Sequence, residues 1–343
     1  MTKNSRAANA CKISVLLLFS SILLGCNFAP SYQQPQDVVA ATVPDATPAP
    51  ALAPAVLAAA QADALQWLAD DRLRHTVALA LHNNRDLRIA ADNVAKARAQ
   101  YGIARADQLP SITAQLQGQR SRSSADVSNS TRLVNEQVSA SIGFASYEVD
   151  LWGRIRNLNA AAWQQFLQVQ ENRRGVEIAL IAEVANAWLT LAADQERLAL
   201  AQQTLDTREQ SYALMRRMFQ LGATSGLALA QNLGTVETAR GDVALYTAQL
   251  ARSHNALQLL VGAALAAEAL PPTGWLQAPA QAVWPALPQA LPSSVLLARP
   301  DVQAAEHALI AQHAHIGAAR AAFFPPISLA ASTGSSSAAQ DAA

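Results

Sequence analysis

The chain has 343 residues, 51% of them hydrophobic, which excludes a disordered polymer and suffices for one large core or two ordinary ones. Lys plus Arg and Asp plus Glu balance at 25 each, so there is no basic excess to neutralise phosphates. No Lys/Arg cluster lies beside exposed aromatics, and nucleic acid is set aside as a partner.

At the N-terminus Lys3, Arg6 and Lys12 precede the apolar run Ile13 to Leu24, which is too short to span a bilayer and shaped like a signal peptide. The run ends in Leu23-Leu24-Gly25-Cys26. Small residues before a cysteine resemble the bacterial lipobox, so residues 1–25 are expected to be cleaved and Cys26 to carry acyl chains as the first mature residue. The alternative is a structural cysteine behind an ordinary signal. Cys11 leaves with the signal, so the mature chain holds no disulfide framework. Residues 26–64 are rich in Pro and Ala, show no sustained apolar period, and read as a lipid-anchored extended leader with little to gain from folding.

Folding begins near Leu65. Leu73, Val77, Leu79, Leu81, Leu87, Ile89 and Val94 predict a helix over 65–108, closed by Leu109-Pro110. Then the period changes to two. In "PSITAQLQGQRS" Ile112, Ala114, Leu116 and Gly118 alternate with Ser, Thr and Gln; in "EQVSASIGFAS" Val138, Ala140, Ile142 and Phe144 alternate with Gln, Ser and Gly. This strand pair, over 111–146, suits a transmembrane β-wall whose lipid-facing residues are Ile112, Leu116, Val138, Ile142 and Phe144. Period alone suits a soluble hairpin with one wet face equally well.

Past Trp152 a heptad frame takes over, with Ile181, Val184, Trp188, Leu191, Leu198 and Leu205 as seam positions and Gln195 and Gln202 filling the remaining ones. Beyond "QLGATSG", Leu229, Val236, Val243, Leu250 and Leu257 recur every seven residues. These arms predict a long antiparallel coiled-coil hairpin over 155–262, with Leu221, Gly222, Ser225 and Gly226 at its tip. The tip reads either as a docking point for a partner's helical hairpin or as an ordinary helix–helix turn.

A Pro-rich stretch, Pro271 to Pro292, leads to a repeat. A constant shift of 215 places Asp86 on Asp301, Gly102 on Gly317, Arg105 on Arg320, Pro110 on Pro325 and Ile112 on Ile327. So long a period implies duplication of a structural half, not a solenoid unit of about 20–50 residues. Residues 65–276 read as the first repeat and 277–343 as the start of a second one that would need to reach about residue 491.

At "ASYEVDLWGRIRN", Ala145 to Asn157, with "LGATSGLALAQ", "ALQLLVG" and "LPSSVLLARPDV" in order around it, the chain resembles an outer-membrane factor of the tripartite efflux systems, of the lipoprotein type. The resemblance implies a mainly α fold. Each chain would give a coiled-coil hairpin to a trimeric α-barrel in the periplasm and strands to a shared transmembrane β-barrel, with the second repeat incomplete here. It further implies an exit duct for drugs or other small molecules, lipid-anchored in the bacterial outer membrane. The implied partners are two further copies when full length, a periplasmic adaptor, an inner-membrane pump of the RND type and outer-membrane lipid. The second reading is a periplasmic adaptor lipoprotein, which also carries a helical hairpin, but flanked by lipoyl-like domains that nothing before residue 155 suggests.

Asp150, Trp152, Gly153 and Arg154 fall where strand meets helix, at the expected joint between barrel and tunnel. Trp152 reads as a packed joint residue or an interface aromatic. Asp150 and Arg154 read as a pair across the turn or as two solvated charges.

No signal for catalysis or a cofactor emerges. His313 and His315 are about 200° apart on a helix and cannot share a metal. Ser225 lacks the nucleophile-elbow pattern, and no phosphate-cradling glycine loop occurs. The tail "STGSSSAAQDAA" reads as having no closing strand. The chain is therefore expected to be a truncated duct, a fragment, a frameshifted product or a pseudogene translation that forms no open channel by itself.

Overall fold

The computed structural model describes residues 27–35, 68–122, 133–277 and 293–342. In chain order these form α1 (Asp71–Asn83), α2 (Arg85–Ala106), β1 (Thr113–Arg122), β2 (Leu133–Glu148), α3 (Arg154–Gln220), α4 (Gly226–Val261), α5 (Pro300–Ala321) and β3 (Ser328–Ala342). Short 3₁₀ turns at Ala267–Ala269, Trp275–Gln277 and Ser293–Ala298 punctuate the connection before α5. The 215-residue shift carries α2 onto α5 end to end, and the first residue of β1 onto the first of β3.

The predicted helix over 65–108 is two helices. Asp70 caps the first by accepting from the amides of Arg72 and Leu73. The break falls at Asn84, whose backbone is extended (ψ 132°). Its Oδ1 accepts the Leu87 amide at 2.9 Å and starts α2, while its Nδ2 donates to the Leu260 carbonyl at 2.7 Å. A side chain that caps forward and pins sideways outcompetes one more helical turn.

The chain divides into two compact units. One gathers residues 36–94 and 170–303, and its core joins Leu68, Leu73, Val77, Ile181, Val184, Trp188, Leu191, Leu257 and Val261. Trp188 is fully buried, meets Trp275 edge-on at 4.9 Å, and donates its indole N–H to the Ala269 carbonyl at 3.0 Å. Burial there satisfies both the ring and its polar edge. α3 is the one described helix apolar and long enough to cross a membrane by composition. Its residues Leu180, Ile181, Val184 and Leu191 instead pack this core.

The other unit gathers residues 1–35, 95–169 and 304–343. Here α5 buries a face of small residues, Ala304, Ala311, Ala314, Gly317, Ala318 and Ala321. The first turns of α3 add Ile155, Asn157 and Ala161 to the buried set, and His307 bonds Gln164 at 2.7 Å. The three strands make one antiparallel sheet in the order β1-β2-β3. β3 pairs with β2 from Leu133↔Ala342 to Glu148↔Ser328, so the tail that reads as strandless is a 15-residue strand. Its small residues carry no apolar alternation, and the pairing comes from the length of β2.

Candidate membrane strands, joint and hairpin tip

The sheet has two unlike faces. Pairing Leu116 with Ala140, Gly118 with Val138 and Ala114 with Ile142 gathers the apolar side chains on one face, and Gln115, Gln117, Ser139 and Ser141 on the other. β1 is exposed along its entire length, and Leu116 is 77% exposed. Val138 and Ile142 are exposed and Phe144 is half-buried. Ile112 is 70% exposed and lies one residue before β1, not within it. Among the described residues the sheet thus meets no second layer that would keep its apolar face from solvent.

Two features shape this wall. On the polar face, a Cβ on Gly143 would lie 2.4 Å from the Ala331 carbonyl oxygen, and one on Gly334 would lie 2.6 Å from that of Ala140. Neighbouring strands therefore close toward the Gln/Ser face, as the inner side of a curved wall requires. Between Phe144 and Tyr147 a bulge adds a residue to β2. It places Tyr147 opposite Leu329, on the apolar face that Ser146 would otherwise take. Alternation read from the sequence stops at Phe144 and misses this residue.

At the joint, Gly153 sits at φ 77° and lets the chain turn from strand into helix. Asp150 and Arg154 do not pair. Asp150 instead receives the amides of Ile155 and Arg156 and the Arg156 guanidinium, so it caps α3. Arg154 grips Glu148 with two bonds, of 2.8 and 2.5 Å. That bond, opposed by partial burial, holds the guanidinium pKa above its usual value. Trp152 stacks on Phe324 at 4.7 Å and donates to the Pro325 carbonyl, the contacts of a packed joint residue.

The hairpin tip closes on Gly222, whose φ is 73°. The Gly222 amide reaches the Phe219 carbonyl and the Ala223 amide that of Met218, the paired bonds of a Schellman end. Ser225 then caps α4 through the Ala228 amide. Leu221 and Leu227 are 85% and 70% exposed, with Phe219 and Gly226 beside them.

Along the hairpin, Ile181, Val184, Trp188, Leu191, Val236 and Leu257 are buried as the heptads predict, and Leu198, Leu205, Leu229, Val243 and Leu250 are half-buried. Gln195 and Gln202 are not the buried seam positions. Asp194 and Ala201 are, one residue earlier in each case, so the buried line departs from a strict heptad after Leu191. Asp194 is fully buried and accepts bonds from Ser253 of α4 and from Arg197 at 2.6 Å. No apolar-pattern signal points to Asp194, although Ser253 occupies the seam position between Leu250 and Leu257.

Among the described residues no group of three His, Cys, Asp or Glu is placed to hold a metal. His313 meets the Tyr32 ring edge-on, and His315 contacts Gln165. Cys26 lies outside the described residues.

A family model described as outer membrane efflux protein matches residues 76–263 and 291–342. The chain belongs to that family. The probable efflux pump outer membrane protein TtgC of Pseudomonas putida is 42% identical over 324 residues, which make 93% of this chain and 66% of that protein. The outer membrane protein OprJ of Pseudomonas aeruginosa is 42% identical over 330 residues, 94% of this chain and 66% of the relative. The open state of the MtrE outer membrane channel of Neisseria gonorrhoeae superposes with a TM-score of 0.70 at 33% identity, covering 93% of this chain and 72% of that one. The chain thus spans just under two thirds of the length of these curated relatives. The fold class is the mainly α one of this family, long helices joined to membrane strands, and its place is the outer membrane.

Proposed function

We propose that this chain supplies wall and tunnel to an exit duct, through which drugs or other small molecules pass passively from periplasm to exterior. The observation that carries this reading is a sheet with an apolar face that none of the described residues covers and a polar face on which neighbouring strands approach closely at Gly143 and Gly334. An apolar face left in water is unfavourable, whereas lipid outside and water inside suit both faces. The outer strands β1 and β3 have no further partner among the described residues. Lipid tolerates no open edge, so copies of the chain close the barrel together, as a homotrimer in the full-length form.

In this reading Ile112, Leu116, Val138, Ile142 and Phe144 face lipid, while Asp150, Trp152, Gly153 and Arg154 form the joint between barrel and tunnel. The tip at Leu221, Gly222, Ser225 and Gly226 docks a periplasmic adaptor, and an inner-membrane RND-type pump supplies the energy. Residues 1–25 are the signal, 26–64 the leader acylated at Cys26, 65–276 the first repeat and 277–343 the beginning of the second. The chain performs no catalysis of its own, in keeping with relatives that are efflux components.

Single-cysteine probes test the reading in proteoliposomes. Labels at Leu116 and Ile142 should be quenched by doxyl-lipid, and labels at Gln117 and Ser141 by aqueous iodide. Iodide quenching at all four positions would refute the membrane wall.

A further inference from the structure

Within the leader, residues 27–35 are not a free tail. Five neighbouring contacts seat them on α5 and the turn after it. The Phe28 ring stacks on Phe324 at 5.1 Å with the planes 4° apart, and the Phe28 carbonyl accepts from Arg320 at 3.3 Å. Ala29 occupies the place of a side chain at Gly317: a Cβ there would lie 2.7 Å from Ala29 and 2.7 Å from Asn157 Nδ2. Tyr32 donates its hydroxyl proton to Glu306 at 2.9 Å and meets the His313 ring edge-on at 5.7 Å.

The receiving residues follow helical spacing. Glu306, His313, Gly317, Arg320 and Phe324 are separated by seven, four, three and four, which places them on one face of the helix and its exit. The 215-residue shift gives the corresponding positions of α2 as Ala91, Arg98, Gly102, Arg105 and Leu109. Gly and Arg recur there, but Ala91 offers no acceptor and Leu109 no ring. A Cβ on Gly102 would meet nothing within 4 Å. The first repeat keeps the outline of this face, and none of the described residues fills the space at Gly102.

We propose that Asn27–Pro35 is a docking strap, and that its seat on α5, keyed by the missing side chain of Gly317, assigns the N-terminal tether to the second repeat. Ala29 enters between Gly317 of α5 and Asn157 of α3, so the strap also wedges the second repeat against the helix that leaves the first strand pair. Cys26 is covalently next to Asn27. The membrane anchor proposed above therefore departs from the end of α5 that carries Phe324. The strap itself does not depend on acylation; only its service to the anchor does.

Chymotrypsin cleavage after Tyr32, followed by mass spectrometry on the full chain in detergent, tests the strap. Cleavage of a seated segment requires it to open first, so its rate reports the open fraction. Gly317→Leu should raise the rate by about tenfold or more, and Glu306→Ala by a few-fold, while Gly102→Leu leaves it within about twofold of wild type. Ala29→Gly should partly restore protection to Gly317→Ala, because it removes one of the two colliding carbons. An unchanged rate in Gly317→Leu, with helical circular dichroism intact, overturns the proposal. If Gly317→Leu loses its helical signal, Glu306→Ala decides, since it removes only an acceptor from an otherwise intact seat: no rise overturns the proposal. The same experiment on Cys26→Ser separates strap from anchor: the strap predicts unchanged protection, and cleavage at the Gly317→Leu rate would mean that acylation, not the seat, holds the segment.

Discussion

Ser253 donates its hydroxyl proton to Asp194 across the two arms of the hairpin, at a depth where Asp194 is wholly removed from solvent. Among the described residues only the Arg197 guanidinium, itself 56% exposed, offers the carboxylate a second partner. A buried charge held in this way registers one helix on the other more than it stabilises them.

Ser253→Ala should therefore cost about 1–3 kcal/mol, since it leaves a buried carboxylate oxygen unsatisfied. The double change Asp194→Leu with Ser253→Ala should recover most of that loss, because it removes both polar groups together. Urea unfolding of the four proteins of this cycle measures the difference. A double variant that is less stable than either single one would show that the pair itself, and not its desolvation, governs stability.

The joint offers a sharper comparison. Arg154 holds Glu148 by two bonds, whereas Asp150 caps the helix and pairs with Arg156. A double-mutant cycle on Glu148→Gln and Arg154→Ala should return a coupling of about 0.5–1 kcal/mol, modest because both side chains are partly exposed. The same cycle on Asp150 and Arg154 should return a smaller one, because the two charges attract without touching. Asp150→Ala alone should cost about 1 kcal/mol through the lost cap.

Much of the architecture is legible in residues whose meaning is local or periodic. The repeat offset carries α2 onto α5 because it is written in consecutive small and charged residues, Gly102/Gly317 and Arg105/Arg320. The seam of α4 is legible at Val236 and Leu257, and the tip at Gly222, where positive φ needs glycine. What was hidden depends on three-dimensional competition. Asn84 breaks a strongly helical run because Leu260 and Leu87 both claim its side chain. Arg154 had Asp150 four residues away and Glu148 six away, and only the backbone turn at Gly153 decides between them. β3 is written mostly in Ser, Ala and Gly, which show no period; it is ordered by its pairing with β2. The strap is invisible because its seat lies 274 positions from Tyr32.

At the tip, Gly222 and Gly226 should behave differently. Gly222 lies at φ 73° with open space around its Cα, so Gly222→Ala meets no clash and costs only the left-handed backbone, about 1–2 kcal/mol. Gly226 has ordinary φ, and a Cβ there would make normal contact with Phe219 at 3.7 Å, so Gly226→Ala should be neutral or slightly stabilising. Thermal unfolding distinguishes the two. For the proposed docking role, Gly222→Arg in a full-length protein should abolish cross-linking to the adaptor and reduce drug tolerance. Unchanged values for both would leave the tip as a plain turn.

The glycines of the sheet carry the clearest claim about the wall. Gly143 and Gly334 lie on the Gln/Ser face, and a Cβ on either would run into the backbone of the adjoining strand, at 2.4 and 2.6 Å. Backbone cannot rotate aside as a side chain does, so Gly143→Val or Gly334→Val should force the strands apart at a cost of about 1–3 kcal/mol or more each. Gly118 sits on the opposite, apolar face with nothing within 4 Å, and Gly118→Val should be tolerated and should extend the apolar face. Infrared amide-I spectra of the three variants in detergent measure strand content directly. If the closure of the strands toward Gly143 and Gly334 defines the inner side of the wall, the first two variants lose strand signal and the third keeps it. Equal tolerance at all three positions would mean that the wall does not depend on that curvature, and the assignment of Leu116, Val138 and Ile142 to its outer side would lose its geometric support.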